Sequence, residues 1–159
     1  MITSILSDFS KVVLNPKDKN YTGTLNGLYR ELKNKGISFD FFDYFELNNQ
    51  LLDLYIQLKS KYTVNLFTTG SIQNAPEIKE RVNSVFEHIF SAEELGLDKK
   101  STNSYKVIAE KIKTPTNQIL YIDDQPENVD AAKKAGMETL LYEDYQKLYD
   151  KVAVYFAKL

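Results

Sequence analysis

An α/β domain built on a mostly parallel, five-stranded sheet is the fold class this sequence predicts. Three observations point to it. Strand-like and helix-like segments alternate throughout the second half of the chain, as connections between parallel strands require. The strand-like runs are short and apolar, the pattern of strands covered by helices on both faces. Polar residues able to do chemistry stand where these runs end: Asp8, Thr68 and the pair Asp123 and Asp124.

The first strand is read at Ile2 to Leu6, running into Ser7-Asp8-Phe9-Ser10. A polar, turn-rich stretch follows from Asn15 to Asn20. Leu25, Leu28, Tyr29 and Leu32 fall at helical spacing, with Gly36 after them. Phe39 to Leu47 is dense in aromatics; Phe39, Phe41, Phe42, Tyr44 and Phe45 suit a local core, a substrate pocket or a partner surface. Leu47, Leu51, Leu54, Tyr55 and Leu58 mark a second amphipathic helix. The two helices read as a small helical cap inserted at 15–62 in a single domain, 1–159.

The next strand, Thr63 to Phe67, ends in Thr68-Thr69-Gly70-Ser71. Pro76 opens a helix with Ile78, Val82 and Val85 inward, since proline suits a first turn that needs no amide donor. His88-Ile89-Phe90 suggests a short strand, with His88, the only histidine, read as structural. Tyr105, Ile108, Ala109 and Ile112 place a helix starting near Ser101 or Thr102. Glu138 to Tyr142 gives the last strand. Tyr145, Leu148, Tyr149, Val152, Tyr155 and Phe156 form the apolar face of a final helix.

Between these lies Ile119 to Met137, around which the chain is organised. A buried strand runs into Asp123 and Asp124, and Pro126 starts a helix with Val129, Ala132 and Ala135 inward. Gly136 can close that helix. Ligands of open α/β sheets bind at this carboxyl edge. Two adjacent carboxylates repel, which favours a hard cation such as Mg²⁺ between them. The alternative is a solvated turn whose acids cap the helix.

The totals narrow the function classes. The chain has 159 residues, 43% of them hydrophobic, and a net charge of -2. That charge argues against a broad grip on nucleic acid. Lysines near Lys17, Lys33 and Lys59 read as solvated helix faces. With no cysteine, disulfides, thiolate metal sites and cysteine nucleophiles are excluded. No apolar run approaches membrane-spanning length, and the start lacks a signal-type core, so a cytoplasmic location is expected. Nothing in the sequence sets the oligomeric state.

Asp8, Thr68, Lys99 and the acid pair together make a coherent phosphoryl site. Asp8 can attack phosphorus. A cation on Asp8 and Asp124 would offset repulsion of a phosphate dianion. Thr68 can donate to a phosphoryl oxygen, and Lys99 can neutralise charge.

These motifs, in this order, resemble the haloacid dehalogenase superfamily of phosphatases and phosphotransferases over nearly the whole chain. ILSDFSKVV resembles its first motif, NLFTTG its second, GLDKKSTNSY its third and YIDDQPENV its fourth. The resemblance implies a Rossmann-like three-layer domain acting on a small phosphorylated substrate. It implies Asp8 as nucleophile, with Thr68 and Lys99 catalytic and Thr69 and Gly70 beside the substrate. Mg²⁺ is implied at Asp8, the backbone of Ser10, Asp123 and Asp124. Spacing to Tyr105 selects Lys99 over Lys100. Ser10 departs from the family pattern, which has a second Asp there for acid/base work. A serine hydroxyl has no suitable pKa for that task. The expected enzyme is therefore a slow Mg²⁺-dependent phosphohydrolase or phosphotransferase. The alternative is a weakly active or inactive phosphate-binding module that acts through a partner.

Overall fold

The structure is a computed structural model and describes residues 1–155; the expected inward positions of Tyr155 and Phe156 lie outside its described side chains. Five parallel strands form the sheet: β1 (Ser4–Ser7), β4 (Thr63–Thr68), β5 (Ile89–Ser91), β6 (Ile119–Asp123) and β7 (Glu138–Leu141). Their order is β5-β4-β1-β6-β7, with Ser7 of β1 in register with Leu66 on one side and Ile122 on the other. The chain therefore leaves β1 toward one edge and returns on its other side at β6. That reversal opens a crevice at the carboxyl end of β1, directly before Asp8.

Alternation along the strands builds three layers. Ile5, Leu66, Leu120 and Ile122 face one core, while Leu6, Phe67, Ile119 and Tyr121 face the other. The first face is covered by α3 (Asn49–Leu58), α4 (Pro76–Val85) and α8 (Tyr145–Tyr155). The second is covered by α6 (Thr102–Lys111) and α7 (Pro126–Lys134). Between β5 and α6 lies the short helix α5 (Ala92–Leu95).

Local signals explain the helix ends. Asn48 caps α3, its Oδ1 accepting from the Leu51 amide at 3.2 Å. Pro76 and Pro126 open α4 and α7. At the end of α7, Gly136 takes φ +97°, and the Met137 amide bonds back to the Ala132 carbonyl at 3.1 Å. Glycine adopts that left-handed conformation without a Cβ penalty.

The segment 15–62 divides into two parts. Its first part is not purely helical. β2 (Leu14–Pro16) pairs antiparallel with β3 (Phe45–Leu47), and α1 (Leu25–Asn34) and α2 (Phe41–Tyr44) lie between them. Phe41 and Phe45 are buried 4.7 Å apart and Tyr29 packs edge-on to both, so much of the aromatic cluster is local core. Phe42 and Tyr44 remain exposed. The second part, α3, buries Leu51, Leu52, Leu54, Tyr55 and Leu58 in the same core as β1 and β4. It is the helix that crosses back to β4, and its Tyr55 hydroxyl donates to Ser7 Oγ at 2.9 Å. Among the described residues no helix is long and apolar enough to cross a membrane.

Candidate active site

Asp8 leaves the central strand at the crevice, its amide donating to the Ile122 carbonyl at 2.8 Å. The chain then turns tightly. The amides of Val13 and Leu14 both return to the Phe9 carbonyl, and Lys11 takes φ +62°. That conformation is uncommon for a residue with a side chain and tends to cluster at functional sites. The turn places Ser10 and Lys11 on a cavity of 530 Å³, together with Asp8, Thr69, Lys99 and Asp124.

Lys99 joins the two acid-bearing loops. Its ammonium lies 2.5 Å from Asp8 Oδ1 and 3.0 Å from Asp123 Oδ2, and only 6% of its side chain is exposed. The first turns of α6 fix its backbone, because the Tyr105 hydroxyl donates to the Lys99 carbonyl at 2.7 Å. Lys100 points elsewhere, pairing on the surface with Glu127 at 2.5 Å.

The two adjacent acids have different surroundings. Asp123 is fully buried. Its Oδ2 accepts from Lys99, from Asn128 Nδ2 at 3.0 Å and from the Tyr121 hydroxyl, and its Oδ1 accepts from the Gln125 amide at 2.8 Å. A carboxylate with four donors has little acceptor capacity left. Asp124 is half-buried and faces the cavity. The sequence placed Asp8, Asp123 and Asp124 on the metal; of the adjacent pair, Asp123 is the one that also holds Lys99. Oxygens of Asp8, Asp123 and Asp124 still lie within 4.8 Å of one another.

That crowding is electrostatically costly. Burial, with repulsion from Asp123, raises the Asp8 carboxyl to about 7, although Lys99 pulls the other way. Burial and Asp123 also raise Asp124. Burial works against the Lys99 ammonium, but Asp8 and Asp123 outweigh it and hold its pKa above the ordinary value. Three carboxylates face one ammonium, so the site lacks positive charge. The donors are all hard oxygens, which fits a small divalent cation at Asp8 and Asp124.

On the other side of Asp8 stands Thr68, wholly buried, its hydroxyl without a partner among the described residues. Thr69 lines the cavity. Gly70 does not reach it: it lies under α1, where an added Cβ would fall 2.5 Å from Asn26 Oδ1. That same oxygen accepts from the amides of Ser71 and Ile72, both at 3.0 Å, tying α1 to the loop after β4. None of Phe39 to Phe45 lines the cavity, nor does His88. Among the residues that sequence reasoning missed, three charged ones line it: Lys11, Arg30 and Glu93. Each sits in a locally unremarkable polar stretch, and only tertiary structure brings it to the crevice.

The ion pairs make a stability prediction. Lys99→Met leaves two buried carboxylates without their cation, at a cost of about 3 kcal/mol near pH 8. The cost should shrink at pH 5, where the Asp8 carboxyl, raised to about 7 by burial, takes up a proton. Lys100→Met breaks only an exposed pair and should change stability by less than about 0.5 kcal/mol. Urea unfolding of both variants at the two pH values checks this; equal effects would overturn the assignment of Lys99 as the buried link.

Comparison with known proteins places this geometry. The profile of haloacid dehalogenase-like hydrolases matches residues 16–136, which span Thr68, Lys99 and the acid pair. Enolase-phosphatase E1 of Parasynechococcus marenigrum is 36% identical over 87 residues, covering 52% of this chain and 35% of that protein. Its counterpart from Caenorhabditis elegans is 33% identical over 86 residues, covering 51% and 34%. These matches thus span only about a third of each relative. In fold, the chain resembles a HAD family enzyme of Bacteroides thetaiotaomicron crystallised with magnesium and inorganic phosphate. The TM-score is 0.70 at 18% identity, covering 94% of this chain and all of that one. A HAD-like hydrolase structure from Porphyromonas gingivalis gives 0.68 at 15% identity over the full length of both. The profile match extends over more than half of the sequence, and the chain belongs to the haloacid dehalogenase-like hydrolase family.

Proposed function

We propose that the protein is a Mg²⁺-dependent phosphohydrolase or phosphotransferase that acts on a small phosphorylated metabolite through an aspartyl phosphate. The observation that supports this most directly is the buried Asp8–Lys99 pair, 2.5 Å apart, at the reversal point of the sheet with Asp124 beside it. Asp8 attacks phosphorus, and the bond to the leaving oxygen breaks. Lys99 stays protonated and meets the charge of the transferring group while Asp123 holds it in place. Thr68 offers a hydroxyl that lacks a partner, and Thr69 offers a second donor at the cavity wall. Mg²⁺ on Asp8, Asp124 and the Ser10 carbonyl would supply the positive charge that the site lacks. α1 and the β2–β3 pair form the proposed cap, with α3 part of the core layer.

A second reading, a phosphate-binding module with little or no turnover, rests on Ser10. Asp40, Asp43, Glu46 and His88 line none of the cavity, so none of them stands in for a carboxylate at residue 10. Glu93 lines it, and its carboxylate has no hydrogen-bond or ion-pair partner among the described residues.

Calorimetry tests the metal assignment. Mg²⁺ should bind wild type, and Asp124→Ala should abolish the heat of binding. Equal affinity in both proteins would overturn the assignment.

A further inference from the structure

Two of the cations on the cavity have no part in the phosphoryl-transfer scheme. Of the three there, Lys99 is committed to Asp8 and Asp123. Arg30 is not committed: its guanidinium makes no hydrogen bond or ion pair among the described residues. Lys11 has no ion-pair partner there either.

Their placement is directional. Within α1, Asn26, Gly27 and Arg30 line the cavity, at the three- and four-residue spacing of one helical face. Asn26 anchors this face to the loop after β4. Arg30 lies one turn farther along α1 than Asn26. The N-terminal end of α1, capped by Thr24, adds the positive end of a helix dipole. The one other carboxylate on the cavity outside the Asp8–Asp124 group, Glu93, comes from α5. It also borders the neighbouring cleft beside Lys100 and Glu127, away from α1. Negative charge thus gathers on the α5 and α7 side, and the free guanidinium of Arg30 on the α1 side.

We propose that Arg30, assisted by Lys11, binds a second anionic group of the substrate. This rests on the phosphoryl-transfer reading. The substrate class is then a small phosphate ester that also bears a carboxylate or a second phosphate. A 530 Å³ cavity accommodates such a molecule with a short carbon chain between the two groups. Arg30 suits either group, because its planar fork pairs with carboxylate or phosphate through two parallel bonds.

Binding of non-hydrolysable phosphonates, measured by calorimetry with Mg²⁺, tests this without relying on turnover. The probes are phosphonoacetate, phosphonopropionate and phosphonobutyrate, each compared with the alkylphosphonate of equal length, and alkylene bisphosphonates of matching span. At least one dianionic-ended probe should bind about tenfold or more tighter than its alkyl partner, as expected for one added charged hydrogen-bonding contact. The better of the carboxylate and bisphosphonate series identifies the second group. Arg30→Gln should remove the preference while leaving alkylphosphonate binding unchanged. Lys11→Gly should weaken the preference, and glycine accepts the φ of +62° at that position. Alkylphosphonate binding that depends on Mg²⁺, without any preference at any length, overturns the second subsite and leaves the phosphoryl reading standing. A preference that persists in Arg30→Gln overturns the role of Arg30. Absence of Mg²⁺-dependent phosphonate binding of any kind overturns the phosphoryl reading, and the subsite with it.

Discussion

Asp8→Asn should lower turnover of a phosphate ester by roughly 10⁵- to 10⁶-fold, the scale on which removing a covalent nucleophile acts in other enzymes. The amide keeps the shape of the side chain and one oxygen for the Lys99 ammonium, but it cannot form an acyl phosphate. Acid-quenched wild type should retain labelled phosphate from substrate, and the variant should not. A variant rate within tenfold of wild type would show that Asp8 is not the nucleophile. Stability should move the opposite way. In protein freed of metal by a chelator, Asp8 has a pKa raised from 3.8 to about 7 by burial. The folded state therefore binds a proton that the unfolded chain releases above its own lower pKa. The Asp8 contribution is most favourable below pH 3.8 and is lost as pH rises through about 7. Asparagine carries no charge to bury, so the variant should melt higher than metal-free wild type at pH 8. Thermal unfolding with and without Mg²⁺ separates the two effects, because the cation should stabilise wild type more than the variant.

The sheet was legible because its strands are short apolar runs with clear ends. Ile119 to Gly136 shows this best: the buried run, Pro126 and Gly136 each have a local physical cause that tertiary structure did not override. Lys99 was separable from Lys100 through its spacing to Tyr105, and the hydroxyl that bonds the Lys99 carbonyl belongs to that tyrosine. The set of donors that closes around Asp123 was not legible. It depends on Tyr121, Asn128 and Lys99 converging on one carboxylate, and two of those contacts come from separate elements. The place of α3 was also hidden. Its apolar stripe announces a buried face, but periodicity does not say whether a sheet or a cap covers it. β2 and β3 are only three residues each, and β2 ends in Pro16, so no alternating pattern could reveal them. Arg30 and Glu93 are exposed charges on helices, and sequence gives such residues no signature until the fold turns one face of α1 and one turn of α5 toward Asp8.

Ser10→Asp should raise hydrolysis of alkyl phosphates by about 10²- to 10⁴-fold, the usual contribution of general acid/base catalysis. An alkoxide is a poor leaving group and needs a proton as its bond to phosphorus breaks. Water attacking the aspartyl phosphate then needs a base. Ser10 borders the cavity with Asp8 and is partly exposed, so a carboxymethyl group has room to reach the leaving oxygen. The backbone of residue 10, which would face the cation, is unchanged by the substitution. Acyl phosphates and activated aryl phosphates leave without protonation, so wild type should hydrolyse them faster than alkyl esters. For these substrates the variant should gain much less in the first step. Rates of both proteins on both substrate classes, with bound Mg²⁺ verified, decide the matter. If wild type hydrolyses an alkyl phosphate as fast as an acyl phosphate, another residue supplies the proton and the argument from Ser10 fails. Glu93 is then the group to remove, because among the described residues its carboxylate stands on the cavity wall without a partner. If neither protein turns over any phosphate, the chain binds phosphate without transferring it, and Ser10 marks the loss of an activity rather than its slowing.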